Sequence, residues 1–266
     1  VVGPVRSGKS TFIKRFMELA VLPAMEDESL KAVSTDELPQ SAGGKTVMTT
    51  EPKFIPKEAV QITLGDGIQA KVRLIDCVGY MVDGAAGHVE NGEERMVKTP
   101  WSEKEIPFTQ AAQIGTRKVI GDHSTIGIVV TTDGSVGELK RSAYIDAEKQ
   151  TVDELKKLGK PFILLLNSTK PYSDETLKLA EQLAADYGVT VLPVSCEQLK
   201  KEDIFHILES VLKEFPVTQL DFHIPKWLEV LPATHWLKTQ VIDMARELLK
   251  KVSHMKDAAS QIKTFG

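Results

Sequence analysis

Gly3-Pro4-Val5-Arg6-Ser7-Gly8-Lys9-Ser10 fits the pattern G-x-x-x-x-G-K-[ST] at every defined position. In a loop of this kind consecutive backbone N–H groups wrap a phosphate, and the helix that follows adds the positive end of its dipole. Glycines permit the close backbone approach that wrapping needs. Gly3, Arg6, Ser7, Gly8, Lys9, Ser10 and Thr11 are therefore candidate nucleotide-binding residues. Lys9 would meet the outer phosphates, and the Ser10 hydroxyl would ligate Mg²⁺. The plain alternative is a chance glycine-rich turn. An apolar strand end before the loop and an amphipathic helix after it argue against chance.

A second constellation is Asp76-Cys77-Val78-Gly79. Lys71 to Asp76 reads as a strand, which delivers Asp76 beside the phosphate loop in a fold of this kind. Asp76 can hold Mg²⁺ through a water, and the Gly79 N–H can contact a γ-phosphate. D-x-x-G alone is a weak signal, strengthened here by its place one hairpin after the loop. Between the two lies the polar segment Lys45-Thr46-Val47-Met48-Thr49-Thr50-Glu51-Pro52. Thr49 or Thr50 can offer a hydroxyl to Mg²⁺ and an N–H to the γ-phosphate, ordering with triphosphate and relaxing after hydrolysis. The alternative is a polar surface loop. Lys9, Thr49, Thr50 and Asp76 are thus the candidate catalytic residues, and Ser10, Thr50 and Asp76 the candidate metal ligands. Tyr80 stands where Ras-like switches carry a water-orienting glutamine. Another group must position the water, so slow or assembly-stimulated hydrolysis is expected.

GTPases of this architecture read guanine with N-K-x-D after the next-to-last core strand. Here Phe162 to Leu166 is followed by Asn167-Ser168-Thr169-Lys170. Asn167 is kept, Ser168 takes the lysine position and Lys170 the aspartate position. An ammonium group is donor-only and cannot accept from guanine. The guanine donors would go unpaired, at about 1–3 kcal/mol each. Lys170 would instead meet adenine ring acceptors or point to solvent. Val194-Ser195-Cys196 ends the last strand, where backbone can flank a base. Asn167, Lys170, Ser195 and Gly79 complete the nucleotide-binding candidates, and ATP with Mg²⁺ is expected rather than GTP.

The elements needed to hold these residues alternate along the chain. Ser10 to Leu22 is a helix with Phe12, Ile13, Phe16 and Met17 on one face, ended by Pro23. Val60 to Leu64 and Lys71 to Asp76 read as strands joined by Gly65-Asp66-Gly67. Thr125–Thr131, Phe162–Asn167 and Val189–Ser195 are continuous apolar runs that suit strands buried on both faces. Helical patterns cover Gln110–Ile120, Glu138–Leu158, Asp174–Tyr187 and Glu202–Phe215. The expectation is an α/β chain: a P-loop NTPase three-layer fold of the translation-factor-like GTPase class, with a mostly parallel sheet, over residues 1–215. Ala24 to Pro56 and Tyr80 to Pro107 read as long irregular loops. Residues 216–266, punctuated by Pro216, Pro225 and Pro232, read as a linker and the start of a second unit, with a helix from His235 to His254.

Of 266 residues, 42% are apolar and 26% charged, which excludes a mostly disordered chain. A net charge of −4 offers no basic field to nucleic acid. Two cysteines are too few for a disulfide scaffold and suit a reducing compartment. No apolar run is long enough to span a bilayer. No signal peptide opens the sequence, and the start at Val1 reads as a trimmed chain.

Four segments together resemble the stage IV sporulation protein A family of endospore-forming bacteria. They are G-P-V-R-S-G-K-S-T-F-I-K-R-F, V-M-T-T-E-P-K-F-I-P, L-I-D-C-V-G-Y and the stretch from Thr116 to Ser135, T-R-K-V-I-G-D-H-S-T-I-G-I-V-V-T-T-D-G-S. The last is long and is not a generic nucleotide motif. The resemblance implies a spore-coat morphogenetic protein that hydrolyses ATP on a GTPase-derived fold and polymerises into the base layer of the coat. It implies Lys9 as phosphate-loop lysine, Asp76 as the Mg²⁺-side aspartate, and Thr49 and Thr50 as the threonines that sense triphosphate. Implied partners are further copies of the chain, other coat proteins and a small membrane-surface anchor protein. The implied location is the mother-cell cytoplasm at the forespore surface, with the anchoring region beyond Gly266. Rival readings are a GTP switch, a P-loop kinase, for which no acceptor motif is found, and a nucleotide-binding scaffold without turnover.

Other residues have ordinary readings. Trp227 and Trp236 are expected to pack a domain boundary. The six histidines show no metal-ligand spacing. Cys77 and Cys196 are expected to be small buried thiols. Lys140-Arg141 and Lys156-Lys157 are expected to be solvated helix faces. Arg6 is expected to be exposed in the phosphate loop, where it could act across a subunit contact.

Overall fold

The computed structural model describes residues 1–39, 52–63, 67, 69–85, 89–90, 93–100, 102–258 and 261. The Lys45–Glu51 segment, with Thr49 and Thr50, lies outside the described residues, as do Leu64, Gly65 and Asp66 of the expected hairpin turn. Contacts divide the chain into two compact units, Val1–Val211 and Leu212–Gly266.

The first unit begins with an extended segment, the phosphate loop and helix α1 (Lys9–Phe16), continued by a wider turn over Met17–Val21. Helix α2 is Glu28–Asp36, and strands β1 (Lys53–Thr63) and β2 (Gln69–Asp76) pair antiparallel. Strands β3 (Met96–Thr99) and β4 (Ser102–Pro107) form a hairpin, and helix α3 is Phe108–Lys118. Then come β5 (Gly127–Thr132), α4 (Ile145–Lys157), β6 (Phe162–Asn167), α5 (Asp174–Tyr187), β7 (Val191–Val194) and α6 (Lys201–Lys213). The last three strands make a parallel sheet in the order β5-β6-β7. Residues 1–4 run beside it. Val2 bridges Val129 in parallel, and the Val1 amine donates to Ile75 O at 2.8 Å. This segment therefore lies between β2 and β5, and it delivers the phosphate loop to the same edge as Asp76.

Every residue of β5 and β6 is buried, as strands covered on both faces require. Ile128, Val130, Ile163 and Leu165 join Phe12, Ile13 and Phe16 of α1 and Ile204, Ile207 and Val211 of α6. Val129, Leu164 and Leu166 alternate with them and join Val152 and Leu155 of α4 and Ala180 and Leu183 of α5. Helices thus cover both faces. Phe12 and Phe16, both fully buried, each contribute about 1.5–3 kcal/mol, so the helix behind the phosphate loop is fixed by the core.

Four expectations are corrected. The supposed loop from Ala24 contains α2, which is capped by Asp27 accepting from Ser29 N and Leu30 N at 2.8 and 3.1 Å. Its Leu30 and Val33 are exposed, so no apolar stripe betrays it. β1 starts at Lys53, not Val60, because the strand carries Pro56 at a register irregularity between Ile55 and Val60. The β3–β4 hairpin lies within the supposed Tyr80–Pro107 loop, its charged residues disguising the strands. Arg141 is not a solvated residue. Its guanidinium makes a fork onto Glu148, at 2.6 Å to Oε2 and 2.7 Å to Oε1, and Glu148 is fully buried. Thr131 and Tyr187 also donate to Glu148.

In the second unit, α7 (Lys226–Val230) buries only Leu228, and α8 (Trp236–Lys251) has no buried residue. Trp227 and Trp236 are 61% and 69% exposed rather than buried. Trp236 instead stacks on its neighbour His235. Glu214 and Lys256 pair at 2.9 Å within the unit. Among the described residues no helix is long and apolar enough to cross a membrane.

Removing Glu148 leaves a largely buried guanidinium without its carboxylate. Glu148→Ala is predicted to destabilise the first unit by about 3–5 kcal/mol. Urea unfolding followed by circular dichroism measures it; a loss below about 1 kcal/mol would mean that the pair behaves as a surface one.

Candidate functional site

The phosphate loop and the segment after Asp76 are bound to each other. Val5 N donates to Tyr80 O at 2.8 Å, and Tyr80 N donates to Gly3 O at 3.3 Å. Gly79 has φ 89, and a Cβ there would collide with Gly3 O and come within 2.9 Å of Lys9 Nζ. Only glycine lets the two backbones cross so closely. Gly8 has φ 102, and a Cβ there would strike the Asn167 amide. The pattern's second glycine and the asparagine that ends β6 are thus one packing contact.

Lys9 is buried. Its ammonium donates to Pro4 O at 2.6 Å and to Gly3 O at 3.3 Å. Burial pulls its pKa down, opposed by the nearby Cys77 and Asp76. The Ser10 hydroxyl donates to Asp76 Oδ2 at 3.4 Å. Burial raises the Asp76 carboxyl above its ordinary value, and the Lys9 charge opposes that. The loop therefore gathers one cation, one hydroxyl and one carboxylate in a desolvated place, where charges interact strongly. The Ser7 hydroxyl is buried with no hydrogen-bond partner among the described residues, a donor suited to an anionic oxygen.

Asn167 ends β6. Its Nδ2 donates to Ser7 O at 3.0 Å, and its Oδ1 accepts from Cys196 N at 3.0 Å. Both polar side-chain atoms are engaged by protein, so Asn167 positions the loops. Ser168 is buried, and its Oγ accepts from Lys170 N at 2.9 Å. The Lys170 side chain is exposed and joins none of the groups around Lys9 in these contacts. Ser195 is half-buried, and its carbonyl accepts from Gln198 N at 3.0 Å. Thr11 is also half-buried, and so is Arg6, against the expectation that it is exposed. Burial pushes the Cys196 thiol up to about 12 and raises Cys77 as well, so both are inert buried thiols.

Sequence reasoning missed two supports. The loop after β5 is a polar knot. Asp133 accepts from Ser135 N at 2.8 Å, from Ser135 Oγ at 2.6 Å and from Thr176 Oγ1 at 3.3 Å. Ser135 Oγ in turn accepts from Thr169 N at 2.9 Å. Beneath it, Arg141 reaches Thr132 O at 3.3 Å. A signal for the second support existed: Glu148 falls in the stripe Tyr144, Thr151, Val152, Leu155, and a charge inside a buried stripe needs a partner.

This is a mixed α/β domain with a parallel three-stranded sheet and P-loop-like geometry at the carboxyl ends of its strands. The family model for "Stage IV sporulation protein A, ATPase domain" matches residues 1–216, and that for the middle domain of the same protein matches residues 217–266. Three curated relatives carry the name stage IV sporulation protein A. The chain is 48% identical over 265 residues to that of Bacillus subtilis (strain 168), covering 100% of the chain and 54% of the relative. It is 49% identical over 257 residues to that of Bacillus anthracis, covering 97% and 52%. To that of Clostridioides difficile (strain 630) it is 47% identical over 265 residues, covering 100% and 54%. The chain belongs to the stage IV sporulation protein A family, and it spans about half the length of the curated relatives it matches.

Burial alone would raise the Asp133 carboxyl, but hydrogen bonds from Ser135, Ser168 and Thr176 outweigh it and hold the pKa below the ordinary value. A depressed carboxylate stabilises the fold above its unfolded pKa of about 3.9, and the contribution is lost as pH falls through the native value. Asp133→Asn is predicted to be less stable than wild type by a constant amount above about pH 5, with the gap closing towards pH 3. Thermal melts across that range measure it; a gap that ignores pH would remove the carboxylate's role.

Proposed function

We propose that the first unit binds and hydrolyses ATP, and that hydrolysis drives self-assembly of the family's protein into the base layer of the spore coat. The observation that carries this reading is the meeting of Lys9, Ser10 and Asp76 around the crossing of Gly3 and Gly79. Phosphoryl transfer asks for positioning and charge neutralisation more than covalent chemistry. Lys9 would hold the outer phosphates. The N–H groups of the Gly3–Ser10 loop and of Gly79 would orient them. Ser10 and Asp76 are hard oxygen donors of the type that suits Mg²⁺. Bound there, Mg²⁺ would supply charge neutralisation at the phosphate oxygens. Thr49 and Thr50 are proposed to sense the triphosphate, with Thr50 as a further metal ligand. The fold is proposed to be of the translation-factor-like GTPase class, with residues 1–215 as the ATPase domain. Coat proteins, an anchor protein at the membrane surface and a forespore-surface location are proposed from the family resemblance.

A GTP switch is disfavoured because no carboxylate stands at the guanine-reading position. ATP is predicted to bind at least about tenfold more tightly than GTP, since one carboxylate–guanine pair contributes about 1.5–3 kcal/mol. Ser168 is buried, so the substitution that tests the reader without disturbing the fold is Lys170→Asp alone. It should narrow the preference in a competition assay. Wild-type protein that already favours GTP would install the switch reading instead.

The catalytic assignment separates binding from turnover. Lys9→Ala should abolish tight triphosphate binding, whereas Asp76→Ala should lower phosphate release more than affinity. Calorimetry and a phosphate-release assay read the two quantities. Binding without any release by wild type would favour a nucleotide-binding scaffold, and equal losses in Asp76→Ala would point to collapse of the site.

A further inference from the structure

Arg6 is the only non-glycine residue with positive φ among the described residues, at 64°. A side chain with a Cβ in this left-handed region costs free energy that glycine would not. The loop already carries glycine at positions 3 and 8, yet arginine stands at this one. Backbone strain held in a phosphate loop points to a use for the side chain. The guanidinium is not adrift. Arg6 is half-buried, and its charge acts on the Tyr144 hydroxyl, whose pKa burial raises and Arg6 opposes. Tyr144 packs in one buried cluster with Tyr80, Val82 and Ala85, the segment that follows Gly79. Val5 N and Gly3 O both bond to the Tyr80 backbone, so that segment runs directly beside the loop that carries Arg6.

The same segment lacks a water-orienting group at its first position. Tyr80 is buried, and burial together with the Glu154 charge pushes its phenol up to about 12, so it stays protonated at neutral pH. We propose that Arg6 contacts the terminal phosphates of the ATP bound by its own chain and neutralises the charge that builds as the phosphoryl group departs. This rests on the ATPase reading above. In the reaction a bond forms between the water oxygen and the γ-phosphorus, and the β–γ bridging P–O bond breaks. ADP leaves with the bridging oxygen, and inorganic phosphate and a proton are released. A preorganised cation at the departing charge acts on the transition state more than on ground-state binding.

The test measures phosphate release and melting temperature for the wild-type chain, Arg6→Gly, Arg6→Lys and Lys9→Ala. Arg6→Gly relieves the strain and is expected to melt no lower than wild type. Its kcat should fall about 10²-fold, as when one such charge donor is removed. Its KM should stay within about threefold. Arg6→Lys, which keeps the charge, should retain more turnover than Arg6→Gly. A kcat for Arg6→Gly within about threefold of wild type overturns the inference and leaves the ATPase reading standing. Recovery of turnover on mixing Arg6→Gly with Lys9→Ala would show that arginine acts across a subunit contact, which also overturns it. Melting of Arg6→Gly well below wild type would show that arginine serves the fold. A wild-type chain without turnover removes the ATPase reading and this inference with it.

Discussion

The site hangs on the side-chain amide of Asn167. It ends a fully buried strand, so its position is set by the core rather than by any loop. From there one atom holds Ser7 O and another holds Cys196 N, while its backbone carbonyl accepts from Asp133 N at 3.4 Å. Loops from three separate places in the sequence are thereby fixed to one residue. Each of these buried groups, if left unpaired, would cost about 1–3 kcal/mol. The geometry of the phosphate loop is therefore bound to the sheet, and Gly8 packs directly on the same amide.

Electrostatics at the loop follow from that placement. The loop is held close to β2 and β5, so Lys9 and Asp76 are both desolvated, and burial opposes the charge on each. Each lowers the cost of the other, and the loop carbonyls of Gly3 and Pro4 take up the ammonium's hydrogen bonds. Behind the loop, the Arg141–Glu148 fork and the Asp133 knot hold the end of β5, so the rim is supported from below.

What was legible in the sequence was what repeats or what packs. The apolar runs of β5 and β6 announced strands buried on both faces, since no exposed element tolerates such composition, whereas β7, expected to be the same, is only half-buried. The Gly3–Ser10 loop stood out because its pattern sets glycine at positions 3 and 8, and there φ is 138 and 102. α2 was hidden because a nine-residue helix with exposed Leu30 and Val33 leaves no periodic face. β1 was cut short because Pro56 usually stops a strand, and its tolerance depends on an irregularity that only the partner strand defines. Arg141 reads as solvated on a helix expected from Glu138, but the helix starts at Ile145, after a tight turn over Arg141–Tyr144, and the guanidinium bonds Glu148. Asn167 reads from the sequence as a nucleotide contact, and its bonds to Ser7 O and Cys196 N depend on loops that the sequence does not place.

On the proposed reading the loop after β6 is the base side of the site, and selectivity there would come from what is withheld. Ser168 is buried and its hydroxyl is spent on Lys170 N and the Thr176 and Ser135 hydroxyls. It presents no long cation along a ribose or base, as lysine in the guanine-reading pattern would. Lys170 is exposed and offers donors only. Neither residue gives guanine an acceptor for its ring N–H and exocyclic amine, whereas adenine presents ring acceptors and is not penalised by the lack of a carboxylate. Discrimination built in this way rests on a penalty against one base rather than on a dedicated contact to the other. It needs no adenine-specific residue, and it is compatible with an Asn167 whose amide faces the protein.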